Sequence, residues 1–238
     1  LRSQENAKGQ TLFIAGPYEF ISDDGKDHAL PEAFVPLVKA YEALGYDTGA
    51  VSPAEAAKLS SLKTAAPKGW QVLDQKEPKT VILESPKGKV GIVFFPEVKK
   101  VGDDPSPQTV QAIGRAIKEL RPQVKLVVGV SPWGVQTESD FLENSKPDLD
   151  ILLGSGGGVG FSGKPAEGGK VLWMHTYSKG KAIYTVDVLA WPGQKEFKWE
   201  PGSNFTTQAV VLDDTYTPDP GIEQLLQNVP DPGDKQAK

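Results

Sequence analysis

Few of the 238 residues are of a type and spacing that could do chemistry. His28 lies in a polar loop and His175 inside a strand pattern, and neither has a partner visible in the sequence. They read as a surface and a core histidine, and no histidine-based acid–base mechanism is supported. Asp23-Asp24 and Asp213-Asp214 are paired carboxylates that could hold a hard cation, although adjacent acids in Gly- and Thr-flanked turns are ordinarily solvated. The run Gly154-Ser-Gly-Gly-Gly-Val-Gly160 follows an apolar strand and could present backbone amides to an anion. It lacks the Lys-Ser/Thr ending of a phosphate-binding loop, and Phe161-Ser-Gly-Lys-Pro165 is not a helix start, so a turn is the simpler reading. Trp133, between Pro132 and Gly134, could stack on a base or a sugar, or be buried under a neighbouring loop.

The elements that must position these residues follow from the hydrophobic pattern. Thr11–Gly16 is a short apolar run ended by Gly16-Pro17, the mark of a buried strand. Phe34, Leu37, Val38, Tyr41 and Leu44 lie on one helical face, with Gly45 placed to end the helix. Tyr46–Val51 is expected to be a second parallel strand and Ala54–Leu62 a short helix. From Trp70 the chain reads as a meander of hairpins, with strands at Val72–Asp74, Val81–Leu83 and Val90–Phe95. Ser106-Pro107 is a cap and first position for a helix carrying Val110, Ile113, Ile117 and Leu120 as far as Pro122. Lys125–Val130 and Asp150–Leu153 are further strands around a helix at Gln136–Asn144. Val171–Tyr177, Ala182–Ala190, Glu196–Trp199 and Gln208–Leu212 are expected to be antiparallel strands, with a turn at Lys179-Gly180 and a closing helix at Pro218–Gln227.

The pattern therefore predicts one α/β unit of two packed sheets, and residues 229–238 read as a flexible tail. A net charge of −5 with no cluster of Lys or Arg argues against nucleic acid, which leaves a small molecule or a protein as the partner. With no cysteine, thiolate metal sites, thiol nucleophiles and redox pairs are all excluded from this chain. No run of 18 apolar residues exists, so no transmembrane segment is expected.

The order of segments is familiar. The Gly16-Pro17 loop, Leu44-Gly45-Tyr46-Asp47 at a helix exit, Gly91-Ile-Val-Phe-Phe-Pro96, Val127-Val-Gly-Val-Ser-Pro-Trp-Gly134 and Asp148-Leu-Asp-Ile-Leu-Leu-Gly154 carry the likeness. Together they resemble the calcineurin-like metallophosphoesterase domain of the periplasmic 5′-nucleotidase and UDP-sugar hydrolase family. Tyr177-Ser-Lys-Gly-Lys181 with Asp187, and Asp213–Leu226, resemble that domain's later segments. The resemblance implies two mixed β-sheets flanked by helices in four layers, formed by residues 1–228, with the family's first strand and loop expected ahead of Leu1.

Placed residue by residue, the family's bridging aspartate falls on Pro17, its ligand asparagine on Pro53 and its catalytic histidine on Ala54. The remaining ligand histidines fall on Pro132, Gly156 and Gly158. Proline, alanine and glycine side chains offer no lone pair to a cation. What the resemblance implies is thus a non-catalytic or repurposed domain in the periplasm or cell envelope that needs no metal or other cofactor. A ligand is expected at the strand ends, near Tyr18, Ser52, Ser131, Trp133 and Ser155. Two alternatives stay open. One is a phosphoesterase with a metal site rebuilt from Glu19, Asp23, Asp24, His28 and Glu55; the other is a platform for a redox-active segment preceding this chain.

Overall fold

The computed structural model describes residues 11–21, 31–100, 103–176, 182–193 and 196–229. They form two compact units: residues up to Val72 together with those from Asp214 onward, and Leu73–Asp213. The fold is α/β, with several sheets flanked by helices.

In the first unit, helix α1 (Phe34–Leu44) follows a 3-10 turn and ends at Gly45, whose N–H donates to the Glu42 carbonyl. Strand β1 (Gly49–Val51) leads into helix α2 (Pro53–Ser61), which returns the chain to β2 (Trp70–Val72). The return through a helix makes β1 and β2 parallel, which corrects the expectation of a hairpin meander beginning at Trp70. The opening apolar run is not a full strand. Ile14 alone bridges to Thr48, because the Phe13 N–H is taken by the Asp47 carboxylate at 2.8 Å rather than by a ladder carbonyl. The core of this unit gathers Phe20, Phe34, Val38, Val51, Leu59 and Trp70.

The second unit is built on a six-stranded mixed sheet. Its strands are β3 (Lys79–Leu83), β4 (Val90–Phe94), β5 (Leu126–Ser131), β6 (Ile151–Gly154), β7 (Phe161–Ala166) and β8 (Val171–His175), in the spatial order β3-β4-β5-β6-β8-β7. β4, β5, β6 and β8 run parallel, and β3 and β7 close the edges antiparallel. β4 and β5 are buried along their whole length, which is why they read as unbroken apolar runs. Helix α3 (Pro107–Leu120) joins β4 to β5; Ser106 caps it by accepting the Thr109 N–H at 3.1 Å. Helix α4 (Val135–Ser145) joins β5 to β6. Ile113, Ile117, Val127, Phe141, Leu152 and Trp173 belong to one apolar core.

One strand is added to the sequence expectations here and one is removed. Phe161–Ala166 is a strand although it contains Gly163 and Pro165; it lies at the sheet edge, where a proline is tolerated. Glu196–Trp199 is not a strand, since its backbone is placed by the Trp199 indole, which donates to the Asp150 carbonyl at 2.8 Å. β9 (Ala182–Val188) and β10 (Phe205–Val211) form the antiparallel pair expected of them. Helix α5 (Pro220–Leu226) closes the described chain in the first unit. The expected turn at Lys179-Gly180 and the tail from 230 onward lie outside the described residues.

Candidate functional site

In the second unit, β5 and β6 are parallel neighbours whose last residues, Ser131 and Gly154, sit side by side. The loops leaving them clasp each other through the backbone. Ser155 donates its N–H to the Ser131 carbonyl at 2.8 Å and its hydroxyl to the same oxygen at 3.0 Å. Gly134 N–H reaches the Ser155 carbonyl and Val135 N–H the Gly157 carbonyl, both at 3.0 Å. Gly156 has φ +92°, and a Cβ there would stand 2.7 Å from the Pro132 carbonyl oxygen. Gly156 is therefore required by the close approach of one loop to the other.

Trp133, weighed above as a stacking surface, is fully buried. Its indole donates to the Pro96 carbonyl at 2.7 Å and packs against Phe95 and Phe141, which leaves no ring face for a ligand. Ser131 is likewise buried, its hydroxyl oxygen accepting the Trp133 N–H at 3.2 Å. Ser155 keeps partial exposure.

Directly beneath this loop pair sits an acid–imidazole pair with no local signal in the sequence. Glu138, on the first turn of α4, and His175, the last residue of β8, are both fully buried. Glu138 Oε2 lies 3.0 Å from His175 Nδ1 and accepts the Trp173 indole N–H at 3.0 Å. A Cβ on Gly154 would overlap Glu138 Oε2 and stand 2.5 Å from His175 Nδ1, so the pair occupies the space that any other residue there would fill. Phe161 stacks over the imidazole with ring centroids 6.2 Å apart. A carboxylate orienting an imidazole is the arrangement used by general bases and by metal-binding histidines. Here the outer atoms, Glu138 Oε1 and His175 Nε2, are enclosed and have no hydrogen-bond partner among the described residues, and the pair locks α4 to the end of β8.

In the first unit the organising group is Glu55. It closes a capping box with Ser52: the Ser52 hydroxyl oxygen accepts the Glu55 N–H, and Glu55 Oε2 accepts the Ser52 N–H at 2.7 Å. The same buried carboxylate accepts the amides of Tyr18 at 3.1 Å, Phe20 at 2.8 Å and Ile21 at 3.3 Å. Tyr18 has φ +75°, a conformation a tyrosine adopts only when its surroundings hold it. With both oxygens committed to four backbone amides, Glu55 is not free to bind a cation, which removes it from the rebuilt-site set. Glu19 accepts the Tyr41 hydroxyl at 2.6 Å. Burial, and then the Glu19 carboxylate, push the Tyr41 phenol far above its ordinary range, and the same two influences raise Tyr46.

The other expected positions fall in both units. Pro17 is buried, Pro53 is the first residue of α2 and Ala54 is exposed, all in the first unit; Pro132 is buried and Gly158 exposed in the second. Asp213 and Asp214 are both exposed. Asp23, Asp24 and His28 lie outside the described residues. Among the described residues, no group of three or more His, Cys, Asp or Glu side chains is placed to hold a metal ion, and no helix is long and apolar enough to cross a membrane.

No family model matches the chain, and no curated protein matches it. Among solved structures, it is similar to a Staphylococcus aureus protein assigned as a 5′-nucleotidase and crystallised in complex with α-ketoglutarate, with a TM-score of 0.57 and 14% sequence identity. The match covers 94% of this chain and 50% of the other, so the chain spans half the length of that neighbour. The likeness shows a fold shared with about half of that protein and is compatible with a distant relation.

Proposed function

We propose that this chain is a non-catalytic or repurposed metallophosphoesterase-type domain that serves as a binding or structural module in the cell envelope. The observation that carries the reading is the clasp between the Ser131–Gly134 and Gly154–Gly158 loops. Where the resemblance would put ligand histidines, Pro132 and Gly156 are backbone packed on backbone and Gly158 is packed on the Val135 side chain. A Cβ on Gly156 would meet the Pro132 carbonyl at 2.7 Å, and one on Gly158 would meet Val135 Cγ2 at 2.5 Å. These residues do not fit a two-metal centre, whose cations need several carboxylate and imidazole donors to complete both shells. The envelope assignment rests on the resemblance to periplasmic nucleotidases.

The test is a panel of nucleotides and nucleotide sugars incubated with the protein and Mn²⁺, Co²⁺ or Zn²⁺, with calorimetric titration of each metal in parallel. The expected result is no phosphate release above the metal-only control and no stoichiometric heat of metal binding. Phosphate release that Glu19→Ala abolishes would overturn the reading in favour of a rebuilt hydrolytic site.

A further inference from the structure

A concavity lies at the opposite ends of the same strands. The segments leading into β5, β6 and β8 floor a groove of about 700 Å³, walled by Trp191, Pro192 and Phe197. That volume is in the range of small-molecule sites, and the groove is independent of the loop clasp. We propose that it is a carbohydrate-binding site for a neutral oligosaccharide.

The charges of the lining decide the ligand class. Arg121, Lys125 and Lys170 face Asp148, Asp150 and Glu196, so the groove presents both signs equally. Arg121 is already spent: its Nε meets Asp148 Oδ2 at 3.2 Å, Nη1 meets Asp150 Oδ2 at 2.7 Å and Nη2 donates to the Asp148 carbonyl. Lys170 is paired with Glu167 at 3.4 Å. Among the described residues, an anionic ligand would thus find one cation outside these pairs, Lys125, and the exposed carboxylate of Glu196 to repel it. A cationic ligand meets the converse problem at Lys125. A neutral ligand dense in hydroxyls can use both signs, accepting from lysine and donating to carboxylates.

The aromatic wall supplies the other half of sugar recognition. Phe197 is fixed edge-on against Trp199 with ring centroids 5.0 Å apart, and Trp199 is anchored in turn to the Asp150 carbonyl. Trp191 is half-buried and, among the described residues, contacts no other ring and donates its indole N–H to no acceptor. An indole lining the groove beside carboxylates, its N–H given to no acceptor among the described residues, suits the C–H face of a pyranose and its ring of hydroxyls.

The test is titration of the whole chain with soluble neutral oligosaccharides, namely chito-, cello-, malto- and mannohexaose, read by calorimetry and tryptophan fluorescence. AMP, adenosine and inorganic phosphate are run beside them. At least one sugar should bind, with an affinity unchanged between about 0.05 and 0.5 M salt. Trp191→Ala should weaken it roughly tenfold with an unaltered melting curve, and Trp191→Phe should keep most of it. The proposal is overturned if no sugar binds at about 10 mM, if Trp191→Ala leaves binding intact, or if AMP, adenosine or phosphate is the tighter ligand. None of these outcomes bears on phosphate release, so this inference and the proposed loss of hydrolysis stand or fall separately.

Discussion

Glu138 Oε2 and His175 Nδ1 are 3.0 Å apart in a part of the second unit that solvent does not reach, and the Trp173 indole shares the same oxygen. Removing the carboxylate leaves two buried donors or acceptors with nothing to replace water. Glu138→Ala is therefore expected to lower the unfolding free energy by about 2–4 kcal/mol. Glu138→Gln, which keeps the volume and one acceptor, should cost less. Urea denaturation with an unchanged slope checks both.

The glycine above the pair gives a second, coupled expectation. A methyl on Gly154 overlaps Glu138 Oε2, and the β6 backbone that carries it is held between β5 and β8. Gly154→Ala alone should be strongly destabilising, because neither the strand nor the buried carboxylate has room to move. In the Glu138→Ala background the clash with the carboxylate is gone, so the added cost of Gly154→Ala should shrink. A double-mutant cycle showing simple additivity would mean that the two do not touch.

Which parts of this arrangement were legible follows from how local each signal is. Helix α1 was readable because Phe34, Leu37, Val38, Tyr41 and Leu44 share a face, and α3 because Ser106-Pro107 announces its start. β7 was not, because Gly163 and Pro165 break the strand pattern and only its edge position makes them tolerable. His175 was read as lacking a partner since Glu138 is 37 residues away and joined to it only by the fold. Glu55 was half legible. Ser52-Pro-Ala-Glu55 is a capping-box pattern in plain view, whereas its reach to the amides of residues 18–21 has no trace in sequence.

That reach makes a third expectation. Glu55→Ala frees four backbone amides at once and removes what holds Tyr18 at positive φ. A loss of about 3 kcal/mol is expected, with Glu55→Gln intermediate because one amide oxygen cannot serve all four. Hydrogen exchange should show Tyr18, Phe20 and Ile21 amides losing protection before those of α1.

The two raised phenols predict an alkaline signature. Of six tyrosines, Tyr41 and Tyr46 are held neutral above their ordinary value of 10.0, chiefly by burial and then by Glu19. With folded values above the unfolded ones, their stabilising contribution is complete below about pH 10 and is lost as the pH climbs beyond it. Absorbance titration should find both ionising only as the first unit unfolds. Glu19→Gln should bring that ionisation to lower pH, since it removes the charge that opposes a tyrosinate.

Asp150 gives the converse test on the acid side. Burial raises its carboxyl above 3.8, and this outweighs the lowering by Arg121 and by the Val127 N–H, which it accepts at 2.7 Å. A raised folded value means that its stabilising contribution is present below that pH and fades as the pH rises through it. Asp150→Asn stays neutral throughout and still offers an oxygen to the Val127 amide. Relative to the native chain, the variant should gain stability between about pH 3.5 and 6. Denaturation curves at both pH values decide the sign. A variant that instead loses ground as the pH rises would show that the attraction of Arg121, not burial, governs this carboxylate.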